Sequence, residues 1–135
     1  MRATLLLAEA ATTHPDGTTS MLRAGIDRVW SKEPPVPLRG VLFVRIESDM
    51  GDSGPHQLDL RCMDEDGREA LPKVDAQFQV PQGGGVSTIL LGMSVRFAKY
   101  GRYHWVLRVD NVQQDTWKIT VAAKPAEKGP AKGSE

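Results

Sequence analysis

The residues of this 135-residue sequence that could do chemistry are a scatter of turn carboxylates, three imidazoles and one thiol. The carboxylates are the most suggestive. Asp16, Asp49 with Asp52, and Asp110 with Asp115 all fall in stretches rich in turn-forming residues. Calcium gathers about six to eight oxygen ligands from carboxylates and carbonyls. If successive strands run antiparallel, alternate loops lie at one end of the fold, and these aspartates share it. Aspartate is also an ordinary turn residue, because its carboxylate bonds its own backbone. Calcium is the one cofactor this pattern admits.

The other reactive types lack the company that catalysis needs. His14, His56 and His104 fall in a turn, at a strand start and on an exposed strand face. None has a second ligand at i+2 or i+4, so the spacing of a zinc site is missing and solvent-facing histidines are expected. Cys62 alternates with Leu58 and Leu60 and should point inward as a small hydrophobe. A reactive thiol instead wants an electropositive, accessible setting. Ser53 sits in an acidic loop without a G-x-S-x-G elbow. Gly83-Gly84-Gly85 precedes a strand and lacks a following Gly-Lys-Ser/Thr, so it is expected to be a hairpin loop rather than a phosphate cradle. No enzyme is implied. Tyr103, Trp105 and Trp117 take core-facing positions. Trp30 differs, because it precedes Ser31-Lys32-Glu33 and a run of prolines where the chain leaves the fold. With Tyr100 at a turn it forms the candidate partner-binding pair, tryptophan being favoured at binding hot spots.

The elements that must hold these residues are strands. Tyr103, Trp105, Leu107 and Val109 share one face of a segment whose other face carries His104, Arg108 and Asp110. That two-residue period marks a half-buried strand. It recurs in Leu58-Leu60-Cys62, in Val74-Ala76-Phe78-Val80, in Ile89-Leu91-Met93-Val95-Phe97 and in Trp117-Ile119-Val121. The predicted strands are 2–10, 18–30 (bent at Gly25), 38–48, 56–64, 68–80, 86–97, 102–110 and 115–123. Asp16-Gly17, Asp66-Gly67, Gly83-Gly84-Gly85 and Tyr100-Gly101 supply the reversals. Pro34-Pro35-Val36-Pro37 cannot sit inside a ladder, because proline lacks the donor, and is expected to be a crossover. No segment shows a convincing helical stripe.

Eight amphipathic strands bury one face each only if two sheets pack together or one sheet closes. The expectation is an all-β fold: one domain over 1–123, an antiparallel β-sandwich of about eight strands of immunoglobulin, C2 or jelly-roll type. Residues 124–135 hold no bulky apolar side chain and are expected to form a disordered tail.

Composition narrows the function classes further. Hydrophobic residues make up 40% and charged residues 25%, as in ordinary globular domains. Seventeen basic residues balance seventeen acidic ones, so the concentrated positive surface of a nucleic-acid binder is missing. A single cysteine rules out an intramolecular disulfide and points to a reducing compartment. The apolar run Leu5-Leu6-Leu7 is too short for a signal sequence and is interrupted by Glu9, and no stretch is long enough for a spanning helix. No membrane partner and a cytoplasmic location are expected.

Ala3-Thr4-Leu5-Leu6-Leu7-Ala8-Glu9-Ala10-Ala11, then Asp16-Gly17, Met21-Leu22, Gly25, Trp30 and finally Gly101-Arg102-Tyr103-His104-Trp105 resemble an uncharacterised family of small proteins found mainly in actinobacteria. The resemblance spans roughly residues 2 to 122. It implies an all-β domain and brings no established activity. The functional expectation is a non-enzymatic binding or assembly module that holds a protein partner or a second copy through loops or an edge strand. The alternatives are a phage-derived or virion-associated structural protein and a calcium- or ligand-binding C2-like domain.

Overall fold

The computed structural model describes residues 1–125. At its centre lies β5 (Val36–Ser48), which buries Val36, Leu38, Leu42, Val44 and Ile46 on one face and alternates them with partly or fully exposed residues. It is the middle strand of a three-stranded sheet, flanked antiparallel by β1 (Arg2–Ala8) and β8 (Gly85–Phe97). Gly40 interrupts the branched side chains of β5 for a steric reason. A Cβ there would stand 2.7 Å from the Ala8 carbonyl oxygen, where the end of β1 crosses close to the strand.

The second sheet has five strands in the order β4 (Arg28–Ser31), β10 (Val112–Ala123), β9 (Gly101–Val109), β6 (Gly54–Met63) and β7 (Val74–Val80). In β9, Tyr103, Trp105, Leu107 and Val109 are all buried, with Trp105 paired against Cys62 on one side and Trp117 on the other. These side chains join Leu5, Leu7, Leu42, Val44 and Ile46 from the first sheet in one core. Phe97, at the end of β8, locks the layers together: its ring lies 4.6 Å from that of Tyr103 and meets Trp105 edge-on at 6.2 Å. The two-residue period thus becomes burial in β5, β6 and β9, while in β7 the Val74, Ala76 and Phe78 of the same alternation stay exposed or only partly buried.

Several expectations are corrected. The protein is all-β, but it has ten strands among the described residues rather than about eight. The first predicted strand, 2–10, ends at Ala8. The second, 18–30, does not bend at Gly25 but breaks there. Gly25 sits at φ +90 and gives its N–H to the Leu7 carbonyl, so the chain folds back on β1. What remains is a separate two-stranded ribbon, β2 (Ala10–Thr13) and β3 (Thr19–Leu22), and the short β4. β4 runs parallel to β10, so the fold is not wholly antiparallel.

The segment 68–80 becomes strand only from Val74. Before it, the Asp64 carboxylate accepts the N–H groups of Asp66 and Arg68, closing a small turn that ends in a Met63–Glu69 bridge. Pro37 lies within β5, opposite Arg96. β1 reaches only as far as Val41, so Pro37 loses no ladder partner on that side. The expected tail begins with Lys124 and Pro125, which carry no regular structure, and its remainder lies outside the described residues. Among the described residues no helix is long and apolar enough to cross a membrane.

Two substitutions test this packing. Leu107→Ala, at a fully buried position, should cost about 3 kcal/mol of unfolding free energy in a urea titration. Gly40→Ala should cost about 1–3 kcal/mol although it adds one methyl group, because the Ala8 carbonyl must move.

Candidate functional site

The aspartates read as a calcium set divide into three places. Asp49 and Asp52 bracket a 3-10 turn (Met50–Asp52), where Asp52 accepts the Asp49 N–H at 2.8 Å and faces the N-terminal ammonium at 3.4 Å. Asp110 lies at the same end, in the turn joining β9 to β10, and accepts the Gln57 N–H at 3.0 Å. Asp115 lies in β10 and accepts the Leu5 N–H at 2.8 Å, fastening β1 to the second sheet. Asp16 is held by Thr18 at the tip of the β2–β3 ribbon, which leaves from the opposite end of β1. Thus the five do not share one end, because the ribbon is not a sheet-to-sheet connection. Among the described residues no group of three or more His, Cys, Asp or Glu side chains is placed to hold a metal ion.

What this end does contain is a charged pair built on His56. The imidazole Nδ1 donates to the Asp110 carboxylate and Nε2 donates to the Asp52 carbonyl, while the ring stacks on Phe78 at 5.6 Å. A carboxylate and a carbonyl only accept, so this geometry favours the form with a proton on both ring nitrogens, the imidazolium. His56 is therefore not the solvent-facing residue expected; its side chain is 16% exposed. The hydrogen bond to Asp110, then that to Asp52, raises its pKa above the usual 6.5. The same contact with His56, then that with Gln57, lowers the Asp110 carboxyl below 3.8.

Cys62 is buried as expected, and burial, then the charge of Asp64, pushes its thiol up to about 12. No thiolate is available there at neutral pH. Trp117 is only partly buried, its indole N–H donating to the Ile26 carbonyl at 2.7 Å. His14 is exposed beside Ser20, and His104 lies on the outer face of β9. There a polar cleft of about 700 Å³ opens, lined among others by Asp27, Arg28, Glu65, Arg102 and Lys118. Glu65 there accepts the Arg102 N–H. With Asp64 the cleft carries three acids against three bases, so it offers no net charge to an anion or a cation. Tyr100 reaches the strand that carries Trp30. Tyr100 gives its hydroxyl to the Ser31 carbonyl at 2.9 Å, and Trp30 beside it is 52% exposed on the four-residue edge β4.

The feature sequence reasoning missed is the free edge of β8. Ile89, Leu91, Met93 and Val95 were placed in the core, yet all four are only partly buried. Leu91, Met93 and Val95, with Leu90 and Gly92, line one wall of an apolar cleft of about 190 Å³; Leu71, Pro72 and Val74 form the other, and Leu42, Leu60 and Trp105 form its floor. β8 pairs only with β5, through thirteen consecutive pairs without a register shift. It contains no proline, and Arg96 is its one charged residue. Among the described residues, no hydrogen bond beyond the β5 ladder involves its backbone.

The opposite edge of the same sheet is guarded. Along β1, Gln114 and Asp115 accept the N–H groups of Ala3 and Leu5, and Gly25 and Ile26 donate to the Leu7 carbonyl. Proteins normally blunt exposed edges with charge, proline, bulges or a covering loop. β8 has none of these beyond Arg96. The signal in the sequence was Ile89-Leu90-Leu91, apolar on both strand faces, with no charge until Arg96.

Residues 3–122 match DUF6941, a family of unknown function. The chain belongs to that family. The DUF6941 match runs from β1 into β10 and so includes β8 and both walls of its cleft. No curated protein and no solved structure matches the chain.

The His56–Asp110 pair sets a pH dependence whose sign follows from its shifts. The raised His56 pKa contributes stability that is full below 6.5 and is lost as pH rises through its folded value. The lowered Asp110 pKa contributes stability that is full above 3.8 and is lost as pH falls through its folded value. His56→Gln should therefore lower Tm most near about pH 5 and least near about pH 9. Thermal melts of both proteins across that range measure it, and an equal loss at both ends would contradict the pairing.

Proposed function

We propose that this protein is a non-enzymatic assembly module that holds a protein partner along β8 and the cleft beside β7. The supporting observation is the contrast between the two edges of one sheet: among the described residues β1 is capped by side chains and loop amides, and β8 is left bare over thirteen residues. An added strand satisfies such a backbone, and pockets for alternate side chains supply specificity. The apolar cleft provides those pockets. On this reading the two sheets act as a sandwich with one closed and one open side. A cytoplasmic setting suits a chain whose one cysteine is buried and unreactive. Trp30 and Tyr100 form a smaller contact surface at the other edge, β4, which is only four residues long.

Site-specific photo-crosslinking in cells that express the protein tests the proposal. A photoreactive residue at Val86, which is 58% exposed on β8, should give one discrete protein adduct. The same probe at Trp30 should give a weaker adduct or none. Adducts from Trp30 and none from β8 would move the contact surface to β4 and overturn the reading.

A further inference from the structure

We infer that the partner seated on β8 is a second copy of this chain, with the two β8 strands paired antiparallel about Leu91. The inference rests on the proposed use of β8 and adds the identity and register of what covers it. A two-fold interface requires a patch that complements itself. β8 meets that requirement residue by residue. With Leu91 opposite its own copy, Ile89 lies opposite the partner's Met93, and Leu90 opposite the partner's Gly92. The five β8 positions that line the cleft, Leu90, Leu91, Gly92, Met93 and Val95, are all apolar, so both open clefts close on apolar side chains. Arg96, the strand's one charge, falls opposite the partner's Val86, so no like charges meet.

The backbone agrees with this register. Pro37 stands opposite Arg96 and has no N–H, which suits a pair that is not hydrogen-bonded. The even-numbered amides of β8 then point away from β5 and are free for a neighbour. In the proposed register they meet even-numbered positions of the other copy, and Leu91 sits in a non-bonded pair.

Size and composition exclude the nearest rival and set the strength. Residues 126–135 contain no leucine, isoleucine, valine, methionine or aromatic side chain, so the chain's own C-terminal segment cannot fill an apolar cleft. Thirteen residues of strand run about 43 Å, and a layer spacing of about 10 Å gives roughly 430 Å² on each copy. Leu71, Pro72 and Val74 extend that area along the β7 side. The interface falls at the low end of specific contacts, where about 800 Å² per partner is standard, so a weak, reversible dimer is expected.

Sedimentation of the full chain up to about 100 µM should show a reversible dimer of twice the 14.8 kDa chain mass. Gly92→Glu is the discriminating variant. A Cβ at Gly92 meets nothing within 4 Å, so the monomer should fold and melt unchanged. In the dimer it places an unpaired charge against the partner's Leu90, and the dimer's dissociation constant should rise at least about tenfold. Leu91→Cys should form a disulfide-linked dimer in air, because non-bonded antiparallel pairs approach within disulfide range. Cys62 should not compete, being buried with its thiol pushed up to about 12.

A chain that stays monomeric throughout, or a dimer untouched by Gly92→Glu, would overturn the inference. So would a dimer in which Leu91→Cys fails to cross-link. The broader reading fails separately: a Val86 photo-adduct of any mass other than twice the chain keeps β8 as a binding edge while removing the second copy. Absence of any adduct removes both.

Discussion

A sheet of three strands has to cover a sheet of five, and the arrangement of this molecule follows from that mismatch of width. At about 4.8 Å between neighbouring strands, the narrower layer falls short by roughly two strand widths. On one side the shortfall is made up by the loop after β3. Ile26 accepts the Trp117 indole N–H and packs against the core, and Gln114 and Asp115 reach across to cap the amides of β1. On the other side no loop intervenes. β8 ends the sheet, and the floor of the core shows between it and the Leu71–Val74 segment. The partial exposure of Ile89, Leu91, Met93 and Val95 is the direct result.

Most of the fold was legible because a strand's side chains alternate whatever its neighbours are. Leu58, Leu60 and Cys62 are buried as their spacing implied, and so are Tyr103, Trp105, Leu107 and Val109. Periodicity says which face turns inward and nothing of whether another layer lies above it. For that reason β5 and β8 look alike in sequence, though one is the buried centre and the other a bare edge. The ends of strands were less legible. Gly25 carries a positive φ in either a bulge or a reversal, and only its hydrogen bond to Leu7 distinguishes them. Pro37 was excluded from a strand by its missing donor, a rule that lapses where one side of the strand has no neighbour.

The carboxylates show the same limit. Turn residues announce where Asp16, Asp49, Asp52, Asp110 and Asp115 lie along the chain, but not which turns converge. Asp52 and Asp110 do meet at His56, and their carboxylate oxygens are engaged by the N-terminus, His56 and the amides of Asp49 and Gln57. His56 was the unread member, because its partners are 54 and 4 residues away in sequence. Its imidazolium ties the start of β6 to the β9–β10 turn. That end of the molecule is therefore closed electrostatically, as its core is closed by packing. The functional reading falls to β8, the longest edge among the described residues that neither kind of closure reaches.

The most direct measurement is amide hydrogen exchange across residues 85–97 at several protein concentrations, read residue by residue by NMR. The account predicts that Val86, Thr88, Leu90, Gly92, Ser94 and Arg96 exchange quickly in dilute solution and gain protection as concentration rises, while the amides bonded to β5 are protected throughout. Equal protection of these six at every concentration would show that β8 is not an edge awaiting a strand, and would contradict the account at its root.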